Sequence, residues 1–462
     1  MRRMDFDLII LGAGAAGMMA AVAAGEALAG TGRRIAIVEK NIRPGIKVLV
    51  CGGGRCNFTN AGSIDFLIAQ FGRSGRFLSP ALHHLDNEAL RGFFTACGVP
   101  SHVEPGGKVY PDSNQAKSVV DALVRRMERA GVHIFAGPQH AAAALSRDDS
   151  AFVLTTVGNE HHRAPFMLLA VGGMSYQRMG TVGDGYRLAA GLGHAIVTPR
   201  PAIVGLLTEE PWTKPLQGLA VRGIELTIPR QAHHKTIRSR GDLLFTHFGL
   251  SGPAVLNPSE VIAELLETIP AVQILVDFAP ALSHDDLHAL LRTWQQSHGK
   301  KRLRTMLSQH QPQSPDLIQS TSPDLSELPA PAIDTQKSKI ETPALSLPVR
   351  LAPALCILES ISPEEPCAHL TTAQIHRLAL RIKRCTFSIT GTRGFKEAMV
   401  TAGGVSLAEV NPDTMESKIV PRLFLTGEVL DLTGPSGGYN LQLAFSTGSL
   451  AGTEVARRLR DS

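Results

Sequence analysis

Asp7-Leu8-Ile9-Ile10-Leu11-Gly12-Ala13-Gly14-Ala15-Ala16-Gly17 decides the fold of this chain. Four apolar residues in a row suit a short strand buried on both faces. They run into glycines 12, 14 and 17, the G-x-G-x-x-G spacing, and then into a helix expected from Ala15 to Leu28. In such a turn Gly12 allows the tight bend, Gly14 lets a pyrophosphate approach the backbone, and Gly17 permits close helix–strand packing. The helix N-terminus adds free N–H groups and partial positive charge. Arg33-Arg34-Ile35-Ala36-Ile37-Val38-Glu39 then reads as a second buried strand ending in an acid. Glu39 stands near the offset at which a carboxylate accepts the ribose hydroxyls of an adenosine. The start of the chain is therefore expected to bind a dinucleotide with a free 2′-OH. Arg2 and Arg3 before an apolar run could suggest a membrane anchor. That run is broken by glycines and carries Glu26, whereas a span needs roughly 20 unbroken apolar residues.

The chain has 462 residues, enough for two or three domains, and 44% of them are apolar. A net charge of +5 is compatible with a polyanionic partner. Six cysteines form no C-x-x-C pair and no zinc pattern with histidine. They read as reduced thiols of a cytoplasmic protein. The pairs His83-His84, His161-His162 and His233-His234 read as surface residues, and no metal site is expected.

Downstream, Gly52-Gly53-Gly54-Arg55-Cys56-Asn57 cannot be strand or stable helix. Its N–H groups suit phosphate or flavin oxygens, with Arg55 available to a pyrophosphate and Asn57 and Thr59 to a ring or ribityl group. Helical spacing covers 86–97 and 115–130, the segment 104–111 is a loop with turn chemistry, and strands are expected at 132–135 and 152–157. Met167 to Val171 reads as a strand stopping at Gly172-Gly173, and Gly183-Asp184-Gly185 opens a helix toward Gly193. From about 195 the character becomes β-rich, at 203–207, 221–228 and 273–277, with a helix start at Ser251-Gly252-Pro253. An amphipathic arm spans about 283–308, and an irregular Pro/Ser-rich insertion about 309–348. A helix near 372–381 follows. Val400 to Val405 reads as a turn, Leu423 to Leu425 as a strand ending at Gly427-Glu428, and Gly437-Gly438-Tyr439-Asn440-Leu441 leads into a final helix. This second strand, acid, glycine loop and helix start would serve ribityl hydroxyls and negative charge on a reduced flavin, which tips the cofactor to FAD.

These blocks resemble the BaiN/RdsA-type flavoproteins, also described as aminoacetone oxidase-like NAD(P)/FAD-dependent oxidoreductases. The likeness rests on Gly12 to Gly17, Gly52 to Asn60, Gly183 to Tyr186, Leu244 to His247, Leu250 to Pro253, Thr401 to Val405, Met415 to Lys418, Gly427 to Asp431 and Gly437 to Asn440. It implies an α/β fold: a Rossmann-like FAD domain in two pieces (1–194 and 389–462), interrupted by a β-barrel-like domain (195–388) carrying small helices. It also implies oxidoreductase activity. Activities in the family include reduction of a uridine in 23S ribosomal RNA, reduction of a bile-acid intermediate and oxidation of aminoacetone. The chain departs from the family at Ile46, Cys51, Val171 and Gln177, which bears on substrate rather than on FAD.

The residues expected at the cofactor are Gly12, Gly14, Ala15, Ala16, Gly17, Glu39, Lys40, Lys47, Gly53, Gly54, Arg55, Cys56, Asn57, Gly172, Gly173, Asp184, Gly427, Glu428, Gly438, Tyr439, Asn440 and Leu441. Cys56, Tyr439 and His247 are the candidate proton donors. No second G-x-G-x-x-G exists, so NAD(P)H would have to approach transiently as electron donor. A reductase of rRNA uridine is the leading reading. A small-metabolite reductase or oxidase and a non-catalytic FAD module are the alternatives.

Overall fold

The computed structural model describes residues 3–231, 234–308 and 345–461, which form two compact units. One comprises 1–203 and 394–462, the other 204–393. The limits read from sequence were 194/195 and 388/389. Ile196–Ala202 carries the first unit further, because it pairs antiparallel with Val400–Val405. No helix among the described residues is long and apolar enough to cross a membrane.

The first unit is built on a parallel sheet in the order Leu423–Leu425, Phe166–Leu169, Leu8–Leu11, Ile35–Glu39, His133–Ala136. Its central strands are buried along their whole length, as their unbroken apolar runs require. From Leu8–Leu11 the chain goes first to one neighbour and later to the other, which makes the end of that strand the switch point where ligands settle. The helix Ala15–Ala27 is apolar nearly all round and largely buried. It lies against the last helix, Tyr439–Arg460, at a separation that only glycine permits. A Cβ at Gly448 would stand 2.2 Å from the Ala16 carbonyl oxygen, and one at Gly452 2.4 Å from that of Ala20.

The second unit is a closed antiparallel barrel of Leu206–Thr208, Gly249–Ser251, Ile237–Phe245, Ala220–Ile228, Val272–Asp277 and Cys385–Thr392. Phe245 and Phe387 pack tilted in its core, with partly buried Trp212 tilted and edge-on against them. The helices His284–Ser297, Leu303–Ser308, Leu351–Leu358 and Thr372–Lys383 belong to this unit.

Several local readings change. Val400–Val405 is a fully buried strand rather than a turn. Its glycines serve close packing: a Cβ at Gly403 would meet the Thr198 carbonyl oxygen at 2.4 Å. Ser251 ends a strand, and Gly252 is the residue before the Pro253–Leu256 helix. The 104–111 loop is the turn of a hairpin, Ser101–Glu104 with Lys108–Pro111. Of the expected 309–348 insertion, 309–344 lies outside the described residues. Its last part is packed: Leu345 and Leu347 are buried, and Leu347 N–H donates to the Leu307 carbonyl at 2.8 Å.

Candidate functional site

A single cavity in the first unit gathers the two ends of its sequence. Its empty volume is about 1270 Å³, open mouth included, and its walls include Leu11–Ala16, Glu39, Lys40, Lys47, Cys51, Gly172, Asp184, Thr426–Glu428, Asn440 and Leu441.

The glycine turn shapes one wall. A Cβ on Gly12 would stand 2.5 Å from the Ala170 carbonyl oxygen, and one on Gly17 1.9 Å from that of Gly12. Nothing lies within 4 Å of a Cβ on Gly14, whose φ of −79° any residue adopts. Gly12 and Gly17 are thus glycine for the fold, whereas the space beside Gly14 is kept for something else. No side chain caps the 15–27 helix.

Glu39 is buried. Its Oε2 accepts from Ala13 N–H at 2.8 Å and its Oε1 from Asn41 N–H at 2.8 Å. A carboxylate has about four acceptor sites, so each oxygen keeps one for a further donor. Across the cavity, Glu428 lies in a polar cluster drawn from four segments. Its Oε2 meets Lys47 Nζ at 2.5 Å, and its Oε1 accepts from Ser175 Oγ at 2.6 Å and from Thr401 N–H at 2.9 Å. Lys47 Nζ also donates to Ser175 Oγ at 2.7 Å. Gly173 is glycine because a Cβ would strike Thr401 Oγ1 and Glu428. Lys40 pairs with Asp184 at the start of the Asp184–Gly191 helix. Thr426 lines the cavity with a buried hydroxyl that has no hydrogen-bond partner.

The start of the 439–460 helix is held by Asn440, which donates to the Gly434 carbonyl at 2.8 Å and accepts from Gly434 N–H at 2.9 Å. Gly438 takes a φ of +95° there, where a Cβ would meet the Thr59 carbonyl oxygen at 2.3 Å.

Other expected residues take different places. Arg55 is turned to Glu104 and Asn114 and stacks 4.1 Å over the Tyr110 ring, so its charge is already engaged. Gly53 and Gly54 adopt left-handed backbone in the same turn. Asn57 Oδ1 accepts from Val109 N–H at 3.1 Å, bracing that hairpin. Cys56 is enclosed in the hydrophobic core, fully buried, and burial pushes its thiol well above the usual range. Tyr439 packs edge-on against Phe71 and near Phe66, and burial raises its phenol. His247 belongs to the barrel unit, in the turn after Ile237–Phe245, with its ring against Phe248. His162 is not a surface residue: it is fully buried, against the rings of Phe135 and Phe6.

Sequence reading did not assign Ser175, Thr401 or Thr426 to the site, although Thr401 opens the block Thr401 to Val405. It also missed Cys51, which lines the cavity and whose thiol burial raises, against the pull of Lys47, to about 11.

Residues 6–454 match the family described as HI0933-like protein Rossmann domain. The chain is 32% identical to the 3-dehydro-bile acid delta(4,6)-reductase of Clostridium scindens, over 97% of this chain and 98% of that protein. It is 30% identical to the ribosomal RNA dihydrouridine synthase of Escherichia coli, over 96% of each. The synthase of the same name from Haemophilus influenzae is 26% identical, over 97% of this chain and 98% of that protein. By these matches the chain belongs to the HI0933-like Rossmann family and, within it, to the BaiN/RdsA-type flavoprotein oxidoreductases.

Proposed function

We propose that the cavity of the first unit holds FAD and that the chain uses it to reduce an activated C=C bond, that of a uridine in 23S ribosomal RNA, with NAD(P)H as electron donor. The observation that carries the cofactor is the combination of open space beside Gly14, spare acceptor capacity on the buried Glu39, and the unpartnered Thr426 hydroxyl in one wall. Glu39 would hold the adenosine ribose, the 15–27 helix start the pyrophosphate, and Lys47, Glu428, Asn440 and Leu441 the flavin half. When bound, the flavin supplies hydride transfer.

The protein's own groups orient and tune. Glu428 and Ser175 fix Lys47 in the cavity wall, and the start of the 439–460 helix, which lines the same cavity, favours negative charge there. Saturating a C=C bond also needs a proton at the second carbon. Cys51 keeps its proton at neutral pH and can hold it at Sγ on the cavity wall. Cys56 and Tyr439, packed as they are, serve the fold of this region instead.

The substrate rests on two relatives named for dihydrouridine synthesis in ribosomal RNA. The relative named for a bile acid supports a second reading, reduction of a small conjugated metabolite. Mass spectrometry of 23S rRNA nucleosides from a strain lacking the gene separates the two. Dihydrouridine should disappear and return with the gene. An unchanged dihydrouridine level removes the RNA reading in favour of the small-molecule one.

A further inference from the structure

His140, Glu160 and His162 come from three positions around one hairpin. His140 ends the turn Pro138–His140 that follows the strand His133–Ala136. Glu160 lies between the strands Phe152–Thr156 and His161–Ala164, and His162 lies in the second of them. Glu160 Oε2 is 3.0 Å from His140 Nδ1 and 3.4 Å from His162 Nε2. One ligand atom from each residue lies within 4.8 Å of the other two. Atoms bound at about 2.0–2.1 Å to a shared tetrahedral ion stand about 3.3–3.4 Å apart, so the two shorter separations approximate the edges of a coordination shell.

A second observation points to a ligand. His162 is fully buried; its Nδ1 has no hydrogen-bond partner, and its Nε2 has only the long 3.4 Å approach of Glu160. A neutral imidazole always has one donor and one acceptor to satisfy, and a fully buried ring satisfied this poorly is rare in a folded protein. Phe135 and Phe6 crowd the ring. An ion between Nε2 and Glu160 replaces that long approach with two metal–ligand bonds. His140 and Glu160 are only partly buried, so an ion has a way in.

We propose that His140, Glu160 and His162 bind a zinc ion, with water in the fourth position. Two imidazole nitrogens and one carboxylate oxygen form a borderline donor set that suits Zn²⁺ and leaves one place open. The ion ties the hairpin to the strand end that carries the adenosine side of the cavity. Gly137 N–H donates to the Glu39 carbonyl at 3.0 Å, and His140 itself lines the cavity. The three residues are positioning residues for that wall, and the site stands whether or not the cavity holds FAD.

The test uses the full chain, stripped with a chelator, given Zn²⁺, dialysed and analysed for metal. Wild type should retain close to one zinc per chain and melt at a higher temperature with Zn²⁺ than without. His140→Ala and the near-isosteric Glu160→Gln should lose both effects while keeping the wild-type circular dichroism of the metal-free protein. Cobalt in place of zinc should give the visible bands of a tetrahedral nitrogen–oxygen site without thiolate charge transfer. Wild type that retains no zinc, variants that retain as much as wild type, or cobalt spectra dominated by thiolate would each overturn the assignment.

Discussion

Replacing Glu39 with alanine removes an acceptor from Ala13 and Asn41 N–H together with the carboxylate expected to meet a ribose. FAD affinity should fall by about 1–3 kcal/mol, the scale of a hydrogen bond to a charged group. Equilibrium titration with FAD measures it, and unchanged affinity would place the adenosine elsewhere. Cys56→Ser should behave in the opposite way. A hydroxyl without a partner in that core costs roughly 1–3 kcal/mol of stability, while turnover stays near wild type. Loss of a general acid would instead lower turnover by roughly 10²–10⁴-fold, which the same kinetic assay would reveal. The Cys51 thiol, raised to about 11, is protonated through the neutral range and ionises only as pH climbs toward that value. Its alkylation by iodoacetamide at pH 8 should run roughly 100-fold slower than that of an unperturbed thiol and accelerate up to about pH 11. Peptide mass spectrometry reads this, and fast labelling at pH 8 would contradict the burial argument. Glu39 could be found in the sequence because its distance from the glycine turn is fixed by one βαβ unit. The Lys47–Glu428 pair could only be named residue by residue, because 381 positions separate its halves. Ser175 carries no local signal, and Thr401 appears only as part of a family block; their role exists only once Gly173 lets them approach Glu428.

Elements were legible where an apolar run or a helical stripe stands out, and obscure where glycine has two meanings. The first strand, the helix Ala15–Ala27 and the helix Ala116–Arg129 follow from pattern alone. Thr401-Ala402-Gly403-Gly404 has the composition of a turn, yet forms a buried strand, because the glycines answer to neighbouring backbone rather than to a reversal. The Pro/Ser-rich stretch shows the same limit at its end: composition alone extended it to 348, while Leu345 and Leu347 fill the core of the barrel unit. Leu347→Ala should therefore cost about 2–5 kcal/mol in urea unfolding. Removing 309–344 and joining 308 to 345 through a short Gly/Ser linker should cost little. The Leu307–Leu347 hydrogen bond keeps those ends close, and loop closure depends weakly on length. A deletion as damaging as Leu347→Ala would show that the removed segment contributes to the core.

At the scale of the molecule, the chain leaves its first unit at 203, builds a barrel, and returns at 394 to supply a strand, an acid and a helix to the cavity that the first 200 residues began. That return was readable because both ends of the chain combine a strand, an acid, a glycine turn and a helix start. The pairing of small residues between the two helices, Gly448 on Ala16 and Gly452 on Ala20, was not readable, since a glycine in a helix looks like a defect until its neighbour is known. The central claim, that this shared cavity is the seat of FAD, is tested most directly at Gly14. Its backbone accepts any side chain and its surroundings are empty, so Gly14→Leu should fold as the flavin-free wild type does while filling the pyrophosphate path. The measurement is the flavin released per chain on denaturation, by absorbance and chromatography. The account predicts FAD from wild type and none from a Gly14→Leu protein with the melting curve of the flavin-free wild type. A folded Gly14→Leu protein that carries as much FAD as wild type would contradict it.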